Sequence, residues 1–521
     1  MSSKNTSDPT RRTLLKAAAV AAVSAIPAHQ NNAMAQDTPV ASVSAIRAAR
    51  ASGRASFAKT LAHDANGDAS TATINQIEAA TVSGRVTDWE ALPVQSQMRL
   101  VDPLAAYGWE RDPLYPDVMQ LPAFPKLDSE DLAEQALELY WMALLRDVPL
   151  WDYAKNSLVR DAVAELRTTK LNAKVTPETL FRLNLPGESH GHYISQLLWM
   201  TIPYGAHMLW QAYRTPFKNT DFITTQDEYQ KVIRGDWPTG ILNHYAELFY
   251  LRSGRDVGEY VHWDFSHQAF INAASILLGN PHKMRENWPA TNPYKTSRTM
   301  NGFVSIGPAY IHNVMGVISD IAMRACWHEK WIRHRVLRPE EYGALVDRAL
   351  KADNGESAES LGIHPMIVKS EAVKRTRAKF GAALLPQAYP EGAPAHPAYP
   401  SGHATIAGAC VTILKAMFDE KRVLRFPLQP SRDGKDWGSL SPDQPAPTVS
   451  SELNKLASNI AMGRNLAGIH WRSDAMQGLL LGESVAKAWL KAERAKSIEG
   501  QQGWLQAFEF TSFGGESVRI V

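Results

Sequence analysis

Cysteine is nearly absent: the 521 residues hold two, Cys326 and Cys410. Two thiols make no disulfide framework, and their apolar helical surroundings predict buried thiols, with a single bridge between them left open. There is no cysteine or histidine spacing for zinc, no haem-attachment pattern and no His-Glu-x-x-His pair. Net charge is also small, +2 at neutral pH. That argues against nucleic acid or an anionic membrane surface as a partner, so any functional group of cations must be local. Beyond the N-terminus no apolar run is long enough to span a bilayer. Before the C-terminal tail no alternating stretch reaches ordinary strand length. With 45% hydrophobic and 21% charged residues, the chain nevertheless has the composition of a protein that builds a large core.

The N-terminus reads as a processing segment. Thr10-Arg11-Arg12-Thr-Leu-Leu-Lys16 is a twin-arginine region, the apolar run Ala17 to Ala28 follows it, and Ala33-Met34-Ala35 offers a small-x-small cleavage site. Residues 1–35 are therefore expected to be a twin-arginine signal peptide, placing the mature protein in the periplasm or outside the cell, with no membrane span. Residues 36–128 are polar and weakly periodic and are expected to form an extended arm around the core, with a short helix or two. His63-Asp-Ala-Asn-Gly-Asp68 has a faint likeness to a calcium loop but lacks the glutamate at the twelfth position, so it is read as a surface turn.

Helical periodicity dominates residues 129–521. Ala133, Ala136, Leu137, Tyr140 and Leu144 share one face, and Leu139 and Met142 make the far side apolar, which predicts a helix buried on most sides. Further helices are expected over Tyr193–Trp199, His262–Leu278, Ile311 to about His334, Ala404–Leu414, around Leu453–Ala461, and Ala475–Arg494. A loop is expected from about Asp353 to Pro400, and Pro339 is read as a helix stop. The architecture is thus mainly α, built of packed helical bundles.

Three stretches carry chemistry. In Ala395-His-Pro-Ala-Tyr-Pro-Ser-Gly-His-Ala-Thr405, two prolines deliver Ser401, Gly402 and His403 to a helix start, a natural oxyanion site. Lys330-Trp-Ile-Arg-His-Arg-Val-Leu-Arg338 adds two cations, with Trp327 one turn before Lys330 and His334 one turn after. Gly463-Arg464-Asn-Leu-Ala-Gly468-Ile-His470-Trp-Arg-Ser-Asp474 adds a third cation on an apolar helix face, and a second histidine. For each cation the plain alternative is a structural ion pair, with Glu329, Glu340 and Glu341 nearby as partners. Taken together, Lys330, Arg338 and Arg464 suit a multiply charged tetrahedral oxyanion, with Ser401 and the Gly402 amide completing its hydrogen bonds. One histidine can attack or ligate the central atom while the other moves a proton, and Asp474 is spaced to fix the tautomer of His470. With phosphorus at the centre this is phosphohistidine chemistry; with vanadium it is a histidine-ligated vanadate.

These stretches resemble the signature of the vanadium-dependent haloperoxidases and the acid phosphatases that share their fold. The interval of eight residues from Lys330 to Arg338 is like the algal bromoperoxidase branch. Similarity continues through Glu138–Pro149, Asn184–Glu188, Ile202–Gly205 and Gly478–Glu483, so it covers roughly residues 130–490. The resemblance implies a core of two four-helix bundles, vanadate as cofactor and His470 as its axial vanadium ligand. It makes His403 the acid–base histidine, and Lys330, Arg338, Ser401, Gly402 and Arg464 the partners of the vanadate oxygens. His396 and Trp327 look like the pair that tunes halide use. Gly463 stands where broader members carry serine. Some relatives bind calcium, and no acidic cluster here matches such a site. The activity implied is Lewis-acid activation of hydrogen peroxide, with Lys330 polarising the bound peroxide and bromide or iodide oxidised to hypohalous acid. That product would halogenate small organic acceptors. A homo-oligomer, dimer or larger, is expected. Two rivals remain at this stage, an acid phosphatase that vanadate inhibits and a non-catalytic oxyanion-binding protein.

Overall fold

Short polar side chains set where the helices begin. In the computed structural model, which describes residues 53–94, 96–236, 245–351, 355–424, 427–439 and 446–521, helix α1 (Thr71–Ser83) is capped by Ser70, α2 (Glu130–Leu145) by Ser129, α3 (Ser157–Leu166) by Asn156 and α4 (Gln226–Ile233) by Thr225. Ser253 caps α5 (Gly254–Trp263), and α6 (Gln268–Leu278) and α7 (Pro308–Trp327) follow without a capping side chain. After α8 (Pro339–Lys351), Ser370 caps α9 (Glu371–Phe380), Ser401 caps α10 (Gly402–Met417) and Thr448 caps α11 (Val449–Leu466), before the long α12 (Arg472–Lys496). Each cap accepts an amide hydrogen that the first helical turn leaves without an acceptor.

Helices α10 and α12 pack on each other and each on α7 and α11 as one four-helix group, and α2 gathers α3, α8 and α9 around itself in another. One continuous apolar cluster runs through both. Helix α2 is buried on nearly every side, as its two-faced apolar pattern predicts. In α11 burial is complete past its first turn, so even Lys455, Asn459 and Arg464 lie inside. The contact between α10 and α12 is tight because a glycine stands on each side. A Cβ on Gly408 would lie 2.1 Å from the Leu479 carbonyl oxygen, and one on Gly482 2.0 Å from that of Thr405.

The structure departs from the periodicity in five places. The helix expected over His262–Leu278 is two, α5 and α6, because Asp264 takes an extended conformation between them. The helix ending near His334 leaves α geometry at Trp327 and finishes in a π-helical turn, His328–His334, closed by Arg335 at φ 43° with its amide on the Lys330 carbonyl at 2.8 Å. That turn sends His334 to Glu329 at 3.0 Å. Pro339 does not only stop a helix; it occupies the first position of α8, where its missing N–H costs nothing. The expected 353–400 loop contains α9 and a short turn, Met366–Lys369, and Tyr193–Trp199 holds only a 3₁₀ turn, Gln196–Leu198. Among the described residues the strands form two-stranded antiparallel pairs: β1 (Ile202–Tyr204) with β2 (His207–Leu209), β3 (Tyr213–Pro216) with β4 (Tyr245–Phe249) across the intervening α4, β5 (Leu428–Pro430) with β6 (Trp437–Ser439), and β7 (Phe508–Thr511) with β8 (Ser517–Ile520).

The proposed signal segment, residues 1–35, lies outside the described residues. From residue 53 the chain runs against the bundles, and its bonds concentrate at two places. The Phe57 amide donates to the Arg335 carbonyl at 2.8 Å, and the buried Lys59 ammonium to Glu340 at 2.8 Å and the Glu391 carbonyl at 2.9 Å. Val101 donates to Ala395 at 2.9 Å and accepts from the Trp327 indole at 3.2 Å. His63–Asp68 is a turn in which the Asp64 carboxylate accepts the amides of Asn66 and Asp68. Cys326 and Cys410 are buried free thiols. No helix among the described residues is long and apolar enough to cross a membrane.

The α10–α12 contact is testable. Gly482→Ala is expected to destabilise the protein by ~1–3 kcal/mol or more through overpacking against backbone that has no room to yield. Gly108→Ala, where an added Cβ meets nothing within 4 Å, serves as the reference in chemical denaturation. Equal stability of the two variants would show that the helices separate freely.

Candidate active site

Three buried cations meet where the 395–401 loop, the end of α7, the N-terminus of α8 and the end of α11 converge. Lys330 has no exposure, and its ammonium donates to the carbonyls of Pro397 at 2.6 Å and Ala398 at 2.8 Å. Arg338, also fully buried, donates from Nε to the His396 carbonyl at 3.0 Å and from Nη1 to the Ile469 carbonyl at 2.8 Å. Arg464 donates from Nη1 to the Val261 carbonyl at 2.6 Å, lies over the Tyr389 ring at 5.5 Å, and leaves its buried Nε without an acceptor. Glycine at 463 lets α5 and α11 close over this arginine, since a Cβ there would fall 2.9 Å from Val261.

None of the three pairs with a carboxylate among the described residues. Glu329 is taken by Arg333 at 3.2 Å and His334 at 3.0 Å, Glu340 by Lys59 at 2.8 Å, and Glu341 by the Arg338 backbone amide at 2.6 Å. The structural ion-pair alternative therefore does not account for them. Burial and the neighbouring guanidinium groups push Lys330 down to about 7, and burial brings Arg338 to about 10. A cluster this costly to desolvate is suited to an anion from outside the chain.

Histidine 470 completes the cluster from below. Its Nδ1 faces Asp474 at 2.7 Å, and its Nε2 accepts from Arg338 Nη1 at 2.9 Å. Those partners assign the hydrogen to Nδ1 and a lone pair to Nε2, directed among the cations. Burial and the surrounding positive charge hold the imidazole well below its ordinary value, hence neutral. Burial pushes Asp474 up to about 7, and the Trp471 amide, at 3.0 Å, opposes that shift. His396 lies beside the cations, its Nδ1 3.1 Å from Arg338 Nη2, and its ring is 4.9 Å from that of Trp327. Trp327 and Met323 also cover Gly402, each 3.4 Å from where its Cβ would be. Ser401 is wholly buried as the cap of α10, and the Gly402 amide is in that helix's first turn, without an acceptor inside the helix.

Residue 403 is different. His403 Nε2 lies 2.8 Å from Asp264 Oδ1, and its side chain is 25% exposed, so it stands at the border of the cluster rather than within it. Asp264 was not singled out from the sequence because it falls inside the stretch read as one helix. Asp264 and Ser266 just ahead of an apolar run are, however, helix-start residues, and that signal could have marked the break. Tyr389, stacked on His262 at 3.8 Å and lying under Arg464, carried no sequence signal at all.

The electrostatics predict how a plain tetrahedral dianion binds. Sulfate does not titrate near neutrality, whereas its charge would raise the proton affinity of both Lys330 and Asp474. Binding therefore takes up protons and tightens as pH falls through about 7. Calorimetry at pH 6 and 9 is expected to show roughly tenfold tighter binding at pH 6, equivalent to about one proton-linked pKa unit. Lys330→Gln should flatten the dependence, and an affinity equal at both pH values in the parent would refute the cluster's role.

Known proteins resemble this chain over most of its length. A family model described as the VCPO second helical-bundle domain matches residues 312–497, the span that holds all three motifs. A vanadium-dependent bromoperoxidase of Ascophyllum nodosum is 31% identical over 499 residues, 89% of this chain and 86% of that protein. One of Corallina officinalis is 31% identical over 488 residues, 80% of each. The homohexameric structure of the second vanadate-dependent bromoperoxidase of Ascophyllum nodosum aligns with a TM-score of 0.82 at 26% identity, covering 99% of this chain and 92% of that one. The mainly α, helical-bundle fold is therefore shared with that bromoperoxidase, and the phosphatase alternative is not favoured. With identity of this extent across nearly its full length, the chain belongs to the vanadium-dependent bromoperoxidases.

Proposed function

We propose that the protein holds vanadate in the cation cluster and uses hydrogen peroxide to oxidise bromide and iodide to hypohalous acid, which halogenates small organic acceptors. The observation that carries this reading is the set of three buried cations without a carboxylate partner among the described residues, facing an imidazole whose tautomer is fixed by Asp474. The donor set fits the group: Lys330, Arg338, Arg464, the Ser401 hydroxyl and the Gly402 amide for its oxygens, and His470 Nε2 for the metal. The unpartnered Arg464 Nε supplies a donor that nothing else claims. When bound, vanadate supplies a Lewis acid that makes peroxide oxygen electrophilic toward halide.

The chain's own residues do the rest. The guanidinium groups and Lys330 neutralise oxygen charge in a site closed to bulk water, where fixed donors act most strongly. His470, kept neutral, holds its position through Asp474 rather than moving protons. His403, oriented by Asp264 through Nε2 and reached by solvent, keeps its other nitrogen for proton exchange with peroxide and product. His396 and Trp327 flank the cluster with an imidazole and an indole. There they govern entry of a partly dehydrated halide, which favours bromide and iodide over the more strongly hydrated chloride. Assembly into a homo-oligomer is supported by the homohexameric neighbour.

Vanadate-stripped protein is expected to lack peroxide-dependent bromination of a phenolic dye, to regain it with vanadate, and to be blocked by phosphate during reloading. His470→Ala should lower vanadate affinity at least tenfold, while His403→Ala retains binding and loses turnover by ~10²–10⁴-fold. His396→Ala should depress bromide turnover more than iodide turnover. Unchanged vanadate affinity in His470→Ala, read by titration, would reverse the assignment of the two histidines.

Export by the twin-arginine route to the periplasm or beyond is the second part of the proposal. It rests on Arg11-Arg12, the apolar run after them and Ala33-Met34-Ala35. Changing both arginines to lysine is expected to leave folded precursor inside the cell. Normal export of that variant, followed by fractionation, would count against the route.

A further inference from the structure

Asp264 has a second face. While one oxygen holds His403, the residue also lines a cavity of about 440 Å³ between β3, the C-terminal turn of α5 and the start of α6. The other walls include Tyr213, Glu259, Tyr260, Trp263 and Gln268. Three aromatic side chains thus line a space within the size range of small-molecule sites. The Tyr213 and Tyr260 rings meet edge to face at 4.9 Å, which fixes that wall. Trp263 also lines the cavity and is 63% exposed, so its indole face is accessible. The buried hydroxyl of Tyr260, a residue only 6% exposed, has no hydrogen-bond partner among the described residues. Both carboxylates at the cavity are already engaged. Glu259 accepts the Trp263 indole at 2.7 Å and lies 3.5 Å from His262, and Asp264 is held by His403. Arg214 also lines the cavity and is likewise engaged within the protein, so what the cavity offers is mainly its three aromatic side chains.

We infer that this cavity binds the organic acceptor, a neutral electron-rich aromatic molecule such as a phenol or an indole, and holds it beside His403 where hypohalous acid is released. The inference rests on the haloperoxidase reading above. A ring stacked against Trp263 or the tyrosines gains aromatic contact beyond its buried area. Bound there, the ring is halogenated before the reagent diffuses away. A ring carbon's π electrons form the C–Br bond as the Br–O bond of hypobromous acid breaks. The C–H pair then restores aromaticity, and the released proton joins the departing hydroxide as water.

Two measurements separate the cavity from the chemistry. Saturation-transfer NMR on vanadate-free protein with phenol should show binding in the parent, about tenfold weaker binding in Trp263→Ala, and recovery in Trp263→Phe. In turnover, the parent should give an ortho-to-para ratio of bromophenols different from that of hypobromous acid added without protein. Trp263→Ala should move to the free-reagent ratio, with its bromide-dependent release of oxygen from peroxide, measured without any phenol, unchanged. Absence of transfer to phenol in the parent, or a parent ratio identical to the free reagent's, overturns the proposal. Loss of oxygen release in the parent instead removes the haloperoxidase reading, whatever the NMR shows.

Discussion

Uncompensated positive charge in the protein interior governs this structure. Burying one ion typically costs several kcal/mol even after relaxation, and here three lie together with no carboxylate partner among the described residues. What keeps them in place is backbone: carbonyls of His396, Pro397 and Ala398 on one loop, Ile469 on another and Val261 near the end of α5. The dependence runs both ways. Those carbonyls tolerate burial only because the cations accept their lone pairs, so the same groups that await an anion also give the two loops their shape. Loading such a site requires the Arg338–His470 hydrogen bond to open, because the Nε2 lone pair is engaged there.

Two imidazole–carboxylate pairs stand at this cluster with opposite settings. His470 and Asp474 are sealed, 2% and 0% exposed in their side chains, which suits an immobile donor atom. His403 and Asp264 sit where water reaches the ring, which suits a group that must exchange protons repeatedly. The distinction comes from where each histidine falls relative to α10 and α12, not from the chemistry of the residue itself.

Much of this could be read in advance wherever a short-range rule carried the information. Ser129 and Ser401 announce helix starts, α2 shows apolar residues all round, and the four-residue step from His470 to Asp474 across a helix start brings carboxylate to ring. The failures share a cause in tertiary contact. The π turn after Trp327 keeps a helical pattern in sequence while changing which side chains are neighbours, so His334 leaves the cluster that a plain α-helix would place it near. Asp264 breaks an otherwise helical stretch to reach His403, a partner 139 positions later. The cation–ring contact at Tyr389 has no local signature of any kind. Arg464 was read as projecting from an apolar face, yet nearly all of α11 is interior; the expectation of burial held for a broader reason than the one that produced it.

The bonds made by residues 57–101 bear on how the protein comes into being. Phe57, Lys59 and Val101 clamp the backbone around Arg335, Glu340, Glu391 and Ala395, yet they leave the ribosome some 280 residues or more before most of those partners exist. Helix α12, which carries Asp474, emerges later still. Residues 57–101 must therefore wait without these contacts until the chain has been made through Ala395, and the oxyanion cradle, which needs His470 and Asp474, closes later still. It follows that residues 312–497, although they carry every motif, do not form a transplantable catalytic module: excised, they would lack the strap that holds the 395–401 loop against the end of α7.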